Sequence, residues 1–87
     1  LSAEDLEQWM NAHSVQEEEK NVLRFLFQKG GMAEYDEIAD FCRIDSGILS
    51  SMLIILQMKK AVIPHAGGQY QLGITGHIGD STRMPNG

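Results

Sequence analysis

The chain has 87 residues, 43% of them hydrophobic, with twelve acidic and seven basic side chains and a formal net charge of −5. That is room for one small domain, and with only six aromatic residues its core must be mainly aliphatic. An acidic balance argues against a strong electrostatic nucleic-acid binder, which is ordinarily basic. No apolar run approaches the roughly 20 residues that span a bilayer, and the N-terminus lacks the basic-then-apolar layout of a signal peptide. A cytoplasmic protein is therefore expected, with no membrane partner. The single cysteine, Cys42, permits no internal disulfide, which agrees with a reducing compartment.

Leu1 to His13 reads as a short helix, with Ser2 and Asp5 in capping-box positions and Leu1 and Leu6 placed as a hydrophobic staple. Leu6, Trp9 and Met10 share one face, which either covers the core or docks another chain. A second helix is expected from Ser14, with Glu17 completing a second capping box. Glu17, Glu18 and Glu19 would lie at the favourable end of its dipole. Val15, Val22, Leu23, Leu26 and Phe27 form the predicted buried stripe. Lys29 and Gly30-Gly31 end the helix. Met32-Ala33 is a short strand expected to pair with a later hairpin. Tyr35 to Cys42 reads as a third helix, with Ile38, Ala39 and one or both of Phe41 and Cys42 facing inward. Arg43-Ile44 is the turn, and Ile44 plugs the core.

Asp45 then caps a fourth helix that continues to Lys60. At about 100° per residue, Leu49, Met52, Leu53 and Leu56 fall on one face. Beyond it, Ala61–Pro64 and Gln69–Leu72 are strand candidates joined through Ala66-Gly67-Gly68, a tight hairpin. Pro64 lacks an N–H and belongs on an edge strand. Gly73 to Gly87 is glycine-spaced and aperiodic and reads as a flexible tail, with Ile74 and Ile78 anchoring its first part. The predicted fold is mainly α with a small β-hairpin. It is a winged helix-turn-helix over residues 14–72, with an extra N-terminal helix over 1–13 and the tail over 73–87.

No catalytic constellation emerges, and the chain is not expected to be an enzyme. His13, His65 and His77 lack metal-ligand spacing. Cys42 reads as a buried, inert thiol. Gly30-Gly31 and Gly67-Gly68 lack the frame of a phosphate loop. The carboxylates gather at helix starts, where capping accounts for them. No metal, cofactor or small-molecule substrate is implied.

The charge is uneven. Residues 1–45 hold eleven acidic and four basic side chains, so −7, and residues 46–87 hold Lys59, Lys60 and Arg83 against Asp80, so +2. In a winged helix the fourth helix is the recognition helix and the hairpin is the wing. The groups that would meet DNA are Arg43, Ser46, Ser50, Ser51, Lys59, Lys60, His65 and Gln69. These suit phosphates better than base edges, so any DNA binding should be weak and sequence-tolerant. The same helix turns Ile54, Ile55 and Met58 away from the core face. That apolar patch, with Trp9, is the candidate protein interface, for another protein or for a second copy of the chain, unless the Trp9 helix covers it.

Leu56-Gln57-Met58-Lys59-Lys60-Ala61-Val62 followed by Gly67-Gly68-Gln69-Tyr70 resembles the C-terminal winged-helix domain of the DNA-processing protein A (DprA/Smf) family. Members typically read L-E-L-x-G-x-V/I, four residues, then G-G-x-Y. Asp36-Glu37-Ile38-Ala39 is similar to the family's D-E-L/I-A helix start. The likeness covers roughly Gln16 to Leu72 and departs where Lys60 stands for the usual glycine and Ala66 for a frequent proline. It implies an accessory DNA-binding module of a DNA-processing protein, without the nucleotide-fold domain that carries the family's main single-stranded DNA site. A weaker likeness is to small ferrous-iron-transport winged helices, whose cysteine cluster this chain lacks.

Overall fold

A computed structural model describes residues 1–74. In chain order the elements are α1 (Ala3–Ala12), α2 (Glu17–Gln28), β1 (Met32–Glu34), α3 (Tyr35–Cys42), α4 (Ser46–Met58), β2 (Val62–His65) and β3 (Gln69–Leu72). The architecture is thus mainly helical with a small sheet. The three strands are antiparallel in the order β1-β3-β2, so the strand before α3 becomes an edge of the hairpin's sheet. Registers pair Ala33 with Tyr70, and Val62 with Leu72. Pro64 sits on the outer strand β2, where its missing N–H costs no ladder bond on the open side.

The helices start where short polar side chains satisfy their first N–H groups. Ser2 Oγ accepts from Asp5 N at 3.1 Å, and Asp45 Oδ2 accepts from Gly47 N at 3.1 Å. The expectation that α2 starts at Ser14 needs correction. Ser14 has φ +55° and belongs to the end of α1, where Val15 N donates to Met10 O at 3.2 Å. That six-to-one bond, with buried Val15 against buried Met10, is a Schellman closure. A residue in that left-handed position cannot also cap the next helix. Gln16 does so instead, its N–H donating to Glu19 Oε1 at 3.1 Å.

The other helices close the same way. Gly31 N donates to Leu26 O at 2.8 Å, Ile44 N to Ala39 O at 3.1 Å and Ala61 N to Leu56 O at 2.8 Å. The residue before each donor is left-handed: Gly30 at φ +80°, Arg43 at +55° and Lys60 at +63°. Only α2 uses glycine there. Ala61 is consequently part of the α4 closure and not of the strand, so β2 starts one residue later than expected.

One core unites all elements. Leu6 and Met10 of α1, Val22, Leu23 and Leu26 of α2, Ile38 of α3, and Leu49, Leu53 and Leu56 of α4 are buried in it. Each such side chain contributes on the order of 1.5–3 kcal/mol. On α2, Phe25 is buried where Phe27 was expected, and Phe27 is half-buried beside the core. Phe25 stacks on Phe41 with ring centroids 4.4 Å apart. Ile74 is also buried, as expected of an anchor, and Gly73 N donates to Ala61 O at 2.7 Å, so packing against the core continues past the predicted boundary at Leu72. Ile78 and the rest of the predicted tail lie outside the described residues.

Candidate interaction surface

Helix α4 carries no charged residue between Ser46 and Met58. Its inner face, Leu49, Met52, Leu53 and Leu56, is buried as the periodicity requires. Its outer face is apolar as well: Ile48 is 55% exposed, Ile54 58%, Ile55 42% and Met58 78%. Gly47, Ser50 and Ser51, all exposed, lie among them. Together the four large side chains present on the order of 400 Å² of apolar surface, as much as the largest patch of a typical monomer. Ile54, Ile55 and Met58 were legible from the sequence. Ile48 was not, because at about 100° per residue it falls on the border between the two faces, where periodicity assigns no side.

The helix bearing Trp9 does not cover this patch. Trp9 is 9% exposed and packs into the chain's own core with Leu6 and Met10. Its ring also stacks on His13, with centroids 3.9 Å apart. Both the assignment of Trp9 to a protein interface and the idea that α1 shields Ile54, Ile55 and Met58 are thereby corrected. The apolar face of α1 is only wide enough to cover the core. Its polar side is fixed by the Arg24 guanidinium, which donates to both Glu7 oxygens at 2.8 and 2.9 Å and to Glu17 at 3.3 Å. That fork holds the Glu7 carboxyl below the usual carboxylate range.

Four of the eight polar side chains assigned to DNA, Ser46, Ser50, Lys59 and His65, are engaged within the fold. The Tyr35 hydroxyl donates to Ser46 O and lies 2.6 Å from Ser50 Oγ, with Ser46 Oγ at 3.3 Å, so α3 ties down the start of α4. Lys59 is turned back toward α2: its Nζ donates to Ser14 O at 3.4 Å and stands 3.9 Å from Glu19 Oε1. Glu19 is 4% exposed, and a buried carboxylate of this kind needs a nearby cation. In this fold Lys59 is directed toward Glu19 and Ser14. Arg43 and Lys60 are exposed at the left-handed ends of α3 and α4. His65 is exposed on the edge strand, its Nε2 2.7 Å from Gln71 Oε1, and Gln69 pairs with His65 across the hairpin. Ser51 is exposed on the outer face of α4. The structure thus brings Ser46 and Ser50 together under Tyr35 and takes Lys59 away. The role of Tyr35 went unseen in the sequence because its partners lie on another helix.

Little else offers chemistry. Cys42 is half-buried, and burial pushes its thiol pKa up, away from the reactive thiolate. Among the described residues no three His, Cys, Asp or Glu side chains gather closely enough to hold a metal ion. A cleft of about 440 Å³ between Leu1, Phe27, Met32 and Ile74 is lined by no ionisable side chain. No helix among the described residues is long and apolar enough to cross a membrane.

No protein-family model matches the chain, and no curated protein or solved structure matches it.

Proposed function

We propose that this chain is a winged-helix module that docks onto protein through the outer face of α4 rather than reading DNA with it. The winged-helix reading is supported by the order of elements. Two helices, α3 and α4, are joined by a short turn, and a hairpin follows whose inner strand pairs with β1. The docking reading rests on one observation, the uncharged α4 with Ile48, Ile54, Ile55 and Met58 exposed along it.

Magnitudes favour this use of the helix. Covering about 400 Å² of apolar surface is worth on the order of 10 kcal/mol gross. Association costs of roughly 4–15 kcal/mol offset much of that, so the contact needs a matching rim and is of modest affinity. Base reading calls for Arg, Lys, Asn or Gln on the helix, and α4 carries only Gln57, half-buried at its flank. With Lys59 held by Glu19, the cations flanking α4 are Arg43 and Lys60. Two phosphate contacts give a salt slope near −2 at most, in a chain of net charge −5. The likeness to DNA-processing protein A at residues 36–39 and 56–70 supplies a setting, an accessory, non-catalytic module of a larger DNA-processing protein.

Amide chemical shifts during titration with single- and double-stranded DNA test the choice. At moderate salt the α4 amides should stay in place, with small shifts near Lys60 and the hairpin at low salt. Tight binding at physiological salt that maps onto α4 would overturn the docking reading.

A further inference from the structure

We infer that the occupant of the α4 face is α4 of a second copy of this chain, packed antiparallel across a two-fold axis. The inference rests on the docking reading and names its partner.

Three observations select a second copy. The first is charge. The −7 of residues 1–45 lies outside α4, and α4 itself has no charge to offer a charged partner. A surface that matches it must be equally apolar, and the chain carries such a surface on α4. The second is the distribution of size along the helix. The exposed residues of its N-terminal half include small ones, Gly47, Ser50 and Ser51. Those of its C-terminal half are large, Ile54, Ile55 and Met58. Antiparallel pairing about a point between Met52 and Leu53 sets Met58 opposite Gly47, Ile55 opposite Ser50 and Ile54 opposite Ser51. Ile54, Ile55 and Met58 then each meet a small residue, the interdigitation that close helix packing needs, while Ile48 faces Gln57 at the edge of the contact. Parallel pairing would set large against large and leave gaps at the other end. The third is the rim. The same register sets the acidic, Asp45 end of α4 in one copy level with the basic, Lys60 end in the other, at both ends of the contact.

The area is consistent with a weak dimer. A standard interface takes roughly 800 Å² from each partner, and the large side chains of α4 supply about half of that. The small residues and the rim must supply the rest. A two-fold axis makes the contact isologous, so it closes at two copies and builds no filament.

Sedimentation velocity of the full chain across micromolar to millimolar concentrations should show the mass rise from 9.7 kDa toward twice that value. Ile54→Glu should weaken dimerisation by about a hundredfold or more, by burying a charge at the centre of the contact. Since Ile54 is exposed in the single chain, the melting temperature of the dilute protein should not move. Ser51→Glu, on a small exposed residue, should do the same and guards against misfolding of the first variant. Orientation is read by cross-linking in a Cys42→Ser background. Gly47 and Met58 lie about 16 Å apart along one helix, beyond the reach of a disulfide within a chain. Equal mixing of Gly47→Cys and Met58→Cys proteins should give mixed disulfide dimers after oxidation. A monomer at every concentration, or a dimer that Ile54→Glu and Ser51→Glu leave intact, overturns the inference. So do cross-links that join only like variants. If the chain stays monomeric while α4 is silent to DNA, the second copy is wrong and the docking reading stands. If DNA binds α4 tightly, the docking reading itself is wrong.

Discussion

Helices α2 and α4 are nearly equal in length, 12 and 13 residues, and each buries one aliphatic face in the same core. They differ in what they show to solvent. The outer side of α2 is ionic: Glu17 and Glu18 are exposed, and Arg24 bridges to Glu7 and Glu17. The outer side of α4 is isoleucine, methionine and small residues. Their ends differ too, since α2 closes on glycine and α4 on lysine in the same left-handed conformation. Charge on α2 suits water on that side. Its absence from α4 cannot be put down to a core that needs those isoleucines, because they are exposed and stand outside the core cluster. A helix composed for water on one side only would read like α2.

The largest effect that sharpens this contrast comes from the inner faces. Leu53→Ala should cost about 2–5 kcal/mol of unfolding free energy in urea titrations, and Leu23→Ala on α2 a similar amount. Ile54→Ala, one residue along from Leu53, should stay within about 0.5 kcal/mol in the dilute chain. A loss at Ile54 as large as at Leu53 would mean that the outer face belongs to the core after all.

Next comes the seat of α4's C-terminal end. A Cβ at Gly73 would stand 2.8 Å from Lys60 O and 3.2 Å from Ile63 Cγ1. Backbone cannot yield as a flexible side chain does, so Gly73→Ala should destabilise by about 1–3 kcal/mol. No such constraint operates at the end of α2, where a Cβ on Gly30 or Gly31 meets nothing within 4 Å.

Exchanging the helix ends gives smaller changes of opposite sign. Gly30→Ala places a side chain at φ +80° and should cost about 1 kcal/mol. Lys60→Gly relieves the same strain at φ +63° and should raise the melting temperature by a few degrees, corresponding to about 1 kcal/mol or less. If Lys60→Gly instead lowers stability, the lysine side chain must be supporting the end of α4.

The smallest effect is ionic and confined to the α1–α2 side. The Arg24 hydrogen bond is the main cause that lowers the Glu7 pKa from 4.5 in the folded chain. A depressed carboxyl stabilises the fold above its unfolded value, and that contribution fades as pH falls through the folded value. Glu7→Gln should therefore lower the melting temperature slightly at neutral pH and not at all in strong acid, with added salt shrinking the difference. An outer-face change on α4 such as Ile54→Ala should show no such pH dependence.

Much of this could be read from residues close together in the chain. Ser2 and Asp45 announce helix starts, Gly30-Gly31 a helix end, and Leu49, Met52, Leu53 and Leu56 a buried face. Gly67-Gly68 announces the hairpin, and both glycines have positive φ. All of these are consequences of bonds and periodicities spanning a few residues, which composition and spacing record. The closures at Ser14, Arg43 and Lys60 left no comparable mark, since none is glycine and each is held by the burial of the apolar residue that follows it. The partners of Lys59, Ser46 and Ser50 were equally hidden. Which carboxylate lies buried beneath Lys59, and which tyrosine reaches Ser50, depends on how separate helices meet. So does the fate of Trp9: its helical face was plain in the chain, but only packing turned that face inward and left the Ile54 side of α4 open. Local interactions set the elements, and contacts between residues far apart in sequence set which of their polar and apolar groups remain available to another molecule.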